Sequence, residues 1–249
     1  MEKTMTTSDS PTAEYSGSLE LEVMELAKNY NASIVEGIVS FFHRLRPGAA
    51  EQPRLMDFGA GNGFLANLVS ERLNLPVLCL EPDEKLGRKI QARNSKLELV
   101  HDLSLIPDQS LDFIYSSNVL EHIEDDLGTL KTLAQKLRKG GGIFIYVPAF
   151  QMLYTSNDKL VGHVRRYKAG DLRRKLAEAG FTIDRLRYCD QVGFFAALAY
   201  KFLLDKGDGR INPGSLTFFD RYLFPVNKLS EPALGKLFGK NLLVEGRIQ

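Results

Sequence analysis

The 249-residue chain has no tryptophan, only two cysteines and a formal net charge of +1. Each shortage excludes something. Near-neutrality gives no global pull toward nucleic acid, so an anionic partner has to be recognised locally. The basic residues gather only around Arg165–Lys175, without an aromatic stacking platform, which argues against a nucleic-acid partner. Cys79 and Cys189 lie far apart in apolar, strand-like contexts and read as reduced core residues, which suits a cytoplasmic protein. The longest apolar run, Val192 to Leu204, contains Lys201 and is too short to span a bilayer. Met1 to Thr12 is polar and Ser/Thr-rich, unlike a signal peptide, and residues 1–17 are expected to be a disordered tail. The four histidines are scattered and none has ligand spacing, so no metal site is expected. There is no internal repeat.

What is present is a regular alternation. At 44% apolar and 25% charged, the chain has ample material for one core. Leu19 to Phe42 has helical periodicity with a break near Asn29-Tyr30-Asn31, and Pro47-Gly48 ends it. Strands are expected at Arg54–Phe58, Val77–Glu81, Leu97–Val100, Leu111–Tyr115, Ile143–Val147 and Phe181–Tyr188, with helices between them. The helix at Leu127–Leu137 is expected to stop at Gly140-Gly141-Gly142. A polar, aromatic loop spans Ala149 to Tyr167. Two apolar helical segments, Val192–Leu204 and Leu216–Leu229, precede a last strand, Asn241–Arg247, that could insert antiparallel. Strands alternating with helices predict a mostly parallel α/β sheet covered on both faces. Ligands of such sheets sit beyond the carboxyl ends of the strands.

The chain is arranged around Leu55-Met56-Asp57-Phe58-Gly59-Ala60-Gly61-Asn62-Gly63-Phe64-Leu65. Glycines at alternate positions let the backbone turn sharply and approach a ligand at the start of a helix. A dinucleotide fingerprint would need its third glycine where Phe64 stands, so a nicotinamide-dependent oxidoreductase is disfavoured. Glu81, at the next strand's tip, can accept hydrogen bonds from ribose hydroxyls, and Asp102, one strand further, from an adenine amine. Adenosine held there with its tail over the glycines fits S-adenosylmethionine.

With these residues in view, the chain resembles the class I S-adenosylmethionine-dependent methyltransferases over most of its length. Asp57–Gly63 is similar to their first motif, Leu80-Glu81-Pro82 to the acidic second-strand tip, and Asp102 to the third motif. Asn118-Val119-Leu120-Glu121-His122-Ile123 resembles the segment after the fourth strand, and Leu137–Gly141 the turn before the fifth. Asn29-Tyr30-Asn31 and Gly162-His163-Val164-Arg165-Arg166-Tyr167 look like a bacterial subgroup related to ubiquinone-pathway and glycan-associated methyltransferases. The resemblance implies a Rossmann-like, seven-stranded sheet with helices on both faces. Residues 18–249 would form one domain, with 191–240 as a helical cap before the last strand.

It also implies roles. Gly59, Ala60 and Gly61 would surround the methionine part, and Asp57 would order the loop or meet the amino group. Glu81 and Pro82 would hold the ribose, Asp102 the adenine amine, and Leu103 would lie beside the ring. Asn118 would border the sulfonium and Tyr30 cover it. The reaction would be methyl transfer to a small-molecule acceptor, preferably at oxygen; a binding module without turnover is the alternative. His163 could take a proton from an acceptor hydroxyl, since imidazole titrates near neutrality, or could be a structural clasp. His122 could line the site or cap a turn. Tyr154, Arg165, Arg166 and Tyr167 are candidates for gripping the acceptor, whereas a salt bridge to Asp158 or Asp171 is the commoner fate of such arginines. The apolar segments leave open extra core, a homodimer face, a wall for a greasy acceptor or a membrane-surface patch.

Overall fold

The computed structural model describes residues 17–45, 52–203, 205 and 209–249; the tail at 1–16, the Pro47-Gly48 break and Leu204 lie outside the described residues. In chain order the elements are α1 (Ser18–Met24), α2 (Lys28–Leu45), β1 (Leu55–Phe58), α3 (Phe64–Leu73), β2 (Val77–Leu80), α4 (Glu84–Arg93), β3 (Leu97–Val100), β4 (Leu111–Ser117) and α5 (Asp126–Lys136). There follow β5 (Leu137–Pro148), α6 (Ser156–Leu160), α7 (Ala169–Glu178), β6 (Thr182–Cys189), α8 (Gln191–Leu203), α9 (Pro213–Phe218), α10 (Asn227–Leu234) and β7 (Asn241–Arg247).

The sheet has seven strands in the order β3-β2-β1-β4-β5-β7-β6. All neighbours are parallel except β7, which runs antiparallel to both β5 and β6. Every residue of β1 (LMDF) and of β2 (VLCL) is buried, as strands covered on both faces require. Side chains alternate between two cores. Leu55, Cys79, Phe113, Tyr115 and Phe144 pack with Ile34, Ile38 and Phe41 of α2 and Val69 of α3. Met56, Phe58, Ile114 and Ile145 pack with Leu130 and Leu133 of α5 and Leu172 and Leu176 of α7. Both cysteines are buried and free. The strand order reverses between β1 and β4, which opens a ligand crevice at their carboxyl ends.

Four expectations are corrected. The N-terminal helical break falls at Glu25–Ala27, and Asn29-Tyr30-Asn31 lies inside α2. The reason is remote in sequence: the Asp220 carboxylate accepts from the Asn29 amide (2.9 Å) and the Tyr30 amide (2.8 Å), capping the helix from 191 and 190 residues away. Gly140–Gly142 lies within β5, where the pairing with β4 shifts register between Leu111 and Phe113, rather than ending α5. The loop after β5 contains α6, started by a capping box between Thr155 and Asp158. The second apolar segment breaks into α9, a π-helical turn (Phe219–Leu223), a 3-10 turn carrying Pro225, and α10. Among the described residues no helix is long and apolar enough to cross a membrane.

Candidate active site

At the end of β1 the backbone turns through Gly59 (φ +78°) and Gly61 (φ +56°). A Cβ on Gly59 would lie 2.5 Å from a Val119 methyl, so the approach of β1 to the segment after β4 requires glycine there. The Gly59 and Ala60 amides both donate to the Leu80 carbonyl at 3.0 Å. The Gly61 amide donates to Glu81 Oε2 at 2.8 Å, and the other oxygen of Glu81 accepts from the Asp83 amide at 3.0 Å. Glu81 is buried; burial raises its pKa, and the two amide bonds work against the rise. The glycine turn and the tip of β2 are thus laced by one carboxylate that keeps further lone pairs for a ligand. From above, Leu21 of α1 lies against the turn, 3.2 Å from where a Gly61 Cβ would stand, while Glu25 takes hydrogen bonds from Asn62 and Arg93.

Asp57 faces Tyr115 across the β1–β4 pair. It is buried, and its Oδ2 has no hydrogen-bond partner among the described residues. Burial pushes its pKa up to about 8, the Glu81 charge adding to the rise and the Tyr115 hydroxyl opposing it. Asp102 stands exposed past the end of β3 and accepts from the Ser104 amide at 2.7 Å, which lowers its pKa. Leu103 beside it is half-buried. Asn118 follows β4 in the left-handed conformation (φ +55°), its amide donating to the Tyr146 carbonyl. The Tyr30 ring meets Tyr146 and Phe224 edge-on at 5.9 and 5.7 Å, and its hydroxyl faces Asn118 and Tyr146. Burial raises its pKa.

The fold also gathers a second group at the same edge. His122, after β4, and His163, in the loop after β5, stand edge to face at 4.7 Å, although the sequence spaces them 41 apart. His163 Nδ1 is 2.7 Å from Asp158, whose carboxylate also accepts both ends of the Arg166 guanidinium (2.8 and 2.9 Å) and the Thr155 amide. Burial alone would raise Asp158, but these partners hold it well below the usual carboxylate range. His163 Nε2 lies 3.7 Å from Glu121, which is fully buried. Burial lifts the Glu121 pKa to about 8 and, together with the neighbouring His163, depresses His122 to about 4.

Three acceptor candidates make their polar contacts within the fold; for Arg166 this is the salt bridge to Asp158 that the sequence reading gave as the alternative, and for Arg165 the partner is Asp126 rather than Asp158 or Asp171. Arg166 is locked on Asp158. Arg165 pairs with Asp126 at 2.8 Å and donates to the Glu124 carbonyl, while Asp171 pairs with Arg174. Tyr167 is buried, its hydroxyl donating to Asp126 and lying 3.0 Å from the Leu120 carbonyl. Tyr154 remains half-buried, with its hydroxyl on the His163 carbonyl at 2.6 Å. Gly-His-x-Arg-Arg-Tyr is therefore a brace that aims His163. Glu121 and Asp158 are the members that sequence reasoning passed over as site residues. The only signal was a glutamate set beside His122 after an apolar strand.

The family model described as a methyltransferase domain matches residues 30–186. The chain belongs to the class I S-adenosylmethionine-dependent methyltransferases. A protein of Mycolicibacterium smegmatis named a probable S-adenosylmethionine-dependent methyltransferase is 26% identical over 147 residues, 57% of this chain and 54% of the relative. The chain thus spans about half the length of the curated relatives it matches. An S-adenosylmethionine-dependent methyltransferase from Mesorhizobium loti superposes with a TM-score of 0.52 at 19% identity, covering 79% of this chain and 91% of the other. Phosphoethanolamine N-methyltransferase 2 of Haemonchus contortus, solved with S-adenosylmethionine, gives 0.57 at 18% identity over 88% and 52%. Both likenesses establish a shared fold.

S-adenosylmethionine is the family's cofactor, and this methyltransferase domain offers chemistry that fits it. The buried, unpartnered Asp57 oxygen suits an ammonium, and the carboxylates of Glu81 and Asp102 follow on successive strand ends.

Proposed function

We propose that the protein transfers the sulfonium methyl group of S-adenosylmethionine to an oxygen of a small, largely apolar acceptor and releases S-adenosylhomocysteine. Residues 18–249 act as one domain, with 191–240 as the cap on the acceptor side. The bound cofactor supplies an electrophilic methyl group on a positively charged sulfur. Asp57 and the Gly59-Ala60-Gly61 backbone hold the amino-acid end, Glu81 with Pro82 the ribose, and Asp102 with Leu103 the adenine. Asn118 and Tyr30 border the sulfonium and exclude water from it. As the methyl group passes from the sulfonium to the acceptor oxygen, His163 Nε2 would take the proton that the hydroxyl gives up.

The observation that carries this reading is the Asp158–His163 pair at 2.7 Å, which fixes Nδ1 as the donor and leaves Nε2 able to accept. Because Arg165 and Arg166 are both neutralised, an anionic acceptor finds no free guanidinium in that brace. An apolar one is favoured by Phe150, which stacks on Tyr188 at 4.8 Å and meets Phe194 of α8 at 5.7 Å. The outer stripe of α8 (Phe195, Ala196, Ala199, Phe202, Leu203) is exposed and entirely apolar, as a surface that handles greasy molecules or touches a membrane would be.

The test has two stages. Calorimetry should give binding of S-adenosylhomocysteine and none of NAD. Incubation with methyl-labelled cofactor and fractionated cell extract should then put label into O-methyl products of the lipid-soluble fraction, with little left for His163→Gln. Label found only on nitrogen would refute the oxygen assignment.

A further inference from the structure

We propose that Glu121, His122 and His163 form a site for a divalent transition-metal ion of the zinc type. The inference rests on the reading of this corner as the acceptor end of a methyltransferase site and adds a cation to it. One ligand atom from each of the three residues lies within 4.8 Å of the others. Glu121 is wholly buried, yet neither of its carboxylate oxygens has a hydrogen-bond partner among the described residues. A carboxylate buried without partners is costly and calls for a compensating charge. Its separation from His163 Nε2, 3.7 Å, is too long for a hydrogen bond. It is the spacing of two donors that each lie about 2.1 Å from one ion with about 120° between them.

The surroundings of the cluster point the same way. His163 reaches Asp158 through Nδ1, so Nε2 keeps its lone pair and its aim at Glu121. A carboxylate behind an imidazole is the arrangement that orients histidine ligands on metals. The His122 ring is engaged by the backbone of Val161 and Gly162, which steadies the second imidazole. Two imidazoles and one carboxylate suit zinc and its neighbours, whereas magnesium and calcium prefer oxygen donors. Three protein ligands leave a coordination position open, as in catalytic rather than structural sites. An acceptor hydroxyl bound there would lose its proton more easily, to solvent, before its oxygen forms the new bond to the methyl carbon. In the loaded protein His163 is then a ligand, and its part as proton acceptor belongs to the metal-free protein.

The test is a titration of the full chain, freed of metal with a chelator, using Co2+ as the spectroscopic probe. One equivalent should produce visible d–d bands of a low-coordinate site, and Zn2+ should bleach them. Glu121→Gln and His122→Gln should each weaken Co2+ binding at least 100-fold, while S-adenosylhomocysteine affinity stays within threefold of the parent. Absence of the bands in the parent protein, or bands in either variant as strong as the parent's at the same Co2+ concentration, overturns the proposal. If S-adenosylhomocysteine still binds in that case, the methyltransferase reading stands. If it fails to bind while Co2+ does, that reading falls and the metal site remains.

Discussion

The two halves of the sheet's carboxyl edge are built by different means. Over β1 to β3 the candidate groups are held by backbone amides at the strand ends: Gly61 to Glu81, Asp83 to Glu81, Ser104 to Asp102. Over β4 and β5 side chains do the holding: Asp158 holds His163 from within the same loop, Glu121 comes beside His163 from the segment after β4, and Asp220 holds the first turn of α2 from the far end of the chain. The first half is a local conformation imposed by glycines and strand ends. The second is a convergence that exists only once the loops have folded together. Local conformation leaves its mark on sequence, and convergence does not.

The contrast can be broken at several points. The largest effect is expected from Gly59→Val. A left-handed conformation costs a branched residue about 1–2 kcal/mol, and overpacking against Val119 adds about 1–3 kcal/mol. S-adenosylhomocysteine binding should vanish in calorimetry, and a variant that still bound would show that the turn does not define the cofactor half.

On the other half, Asp158→Ala removes the shared partner of His163 and Arg166. Breaking a buried pair this way costs about 3–5 kcal/mol, read as a fall in Tm with S-adenosylhomocysteine affinity little changed. Because the folded state holds Asp158 below its unfolded value, its contribution is present above about pH 4 and is lost as pH falls further. Acid titration of stability should therefore be flatter in Asp158→Ala than in the parent below about pH 4.

Glu81→Gln should next weaken S-adenosylhomocysteine about 10- to 100-fold, the worth of charge-assisted hydrogen bonds, with the protein still folded. Unchanged affinity by calorimetry would reject its role as the ribose ligand. A gentler effect is expected from pH. With the Asp57 pKa near about 8 in the free protein, pairing with the ligand's ammonium below that pH expels a proton. The ratio of parent to Asp57→Asn affinity should climb between pH 6 and 8, by up to about tenfold per unit, and flatten above. The smallest change is Asp220→Ala, which uncaps α2 for about 1 kcal/mol and should appear as faster amide exchange at Asn29 and Tyr30.

Most of the sheet was legible in the sequence, because β1 and β2 are continuous apolar runs and their helices carry a regular period. The glycine turn, Glu81 and Asp102 were legible because each sits at a strand end whose position the period gives. Gly140–Gly142 misled because a glycine run reads as a stop, while a shift of register absorbs it within β5. Asn29-Tyr30-Asn31 misled because the carboxylate that continues the helix is some 190 positions away. The grouping of Glu121, His122 and His163 had no local signature, since it depends on where the loop after β5 lands.

Asp220 does more than finish a helix. It sits in the insertion between β6 and β7, it grips the amide of Tyr30, and Phe224 of the same insertion braces the Tyr30 ring. The 191–240 segment is thereby tied to the start of α2 at both the backbone and the ring of one residue, so under the proposed reading the cap on the acceptor side and the cover of the sulfonium would share a single anchor.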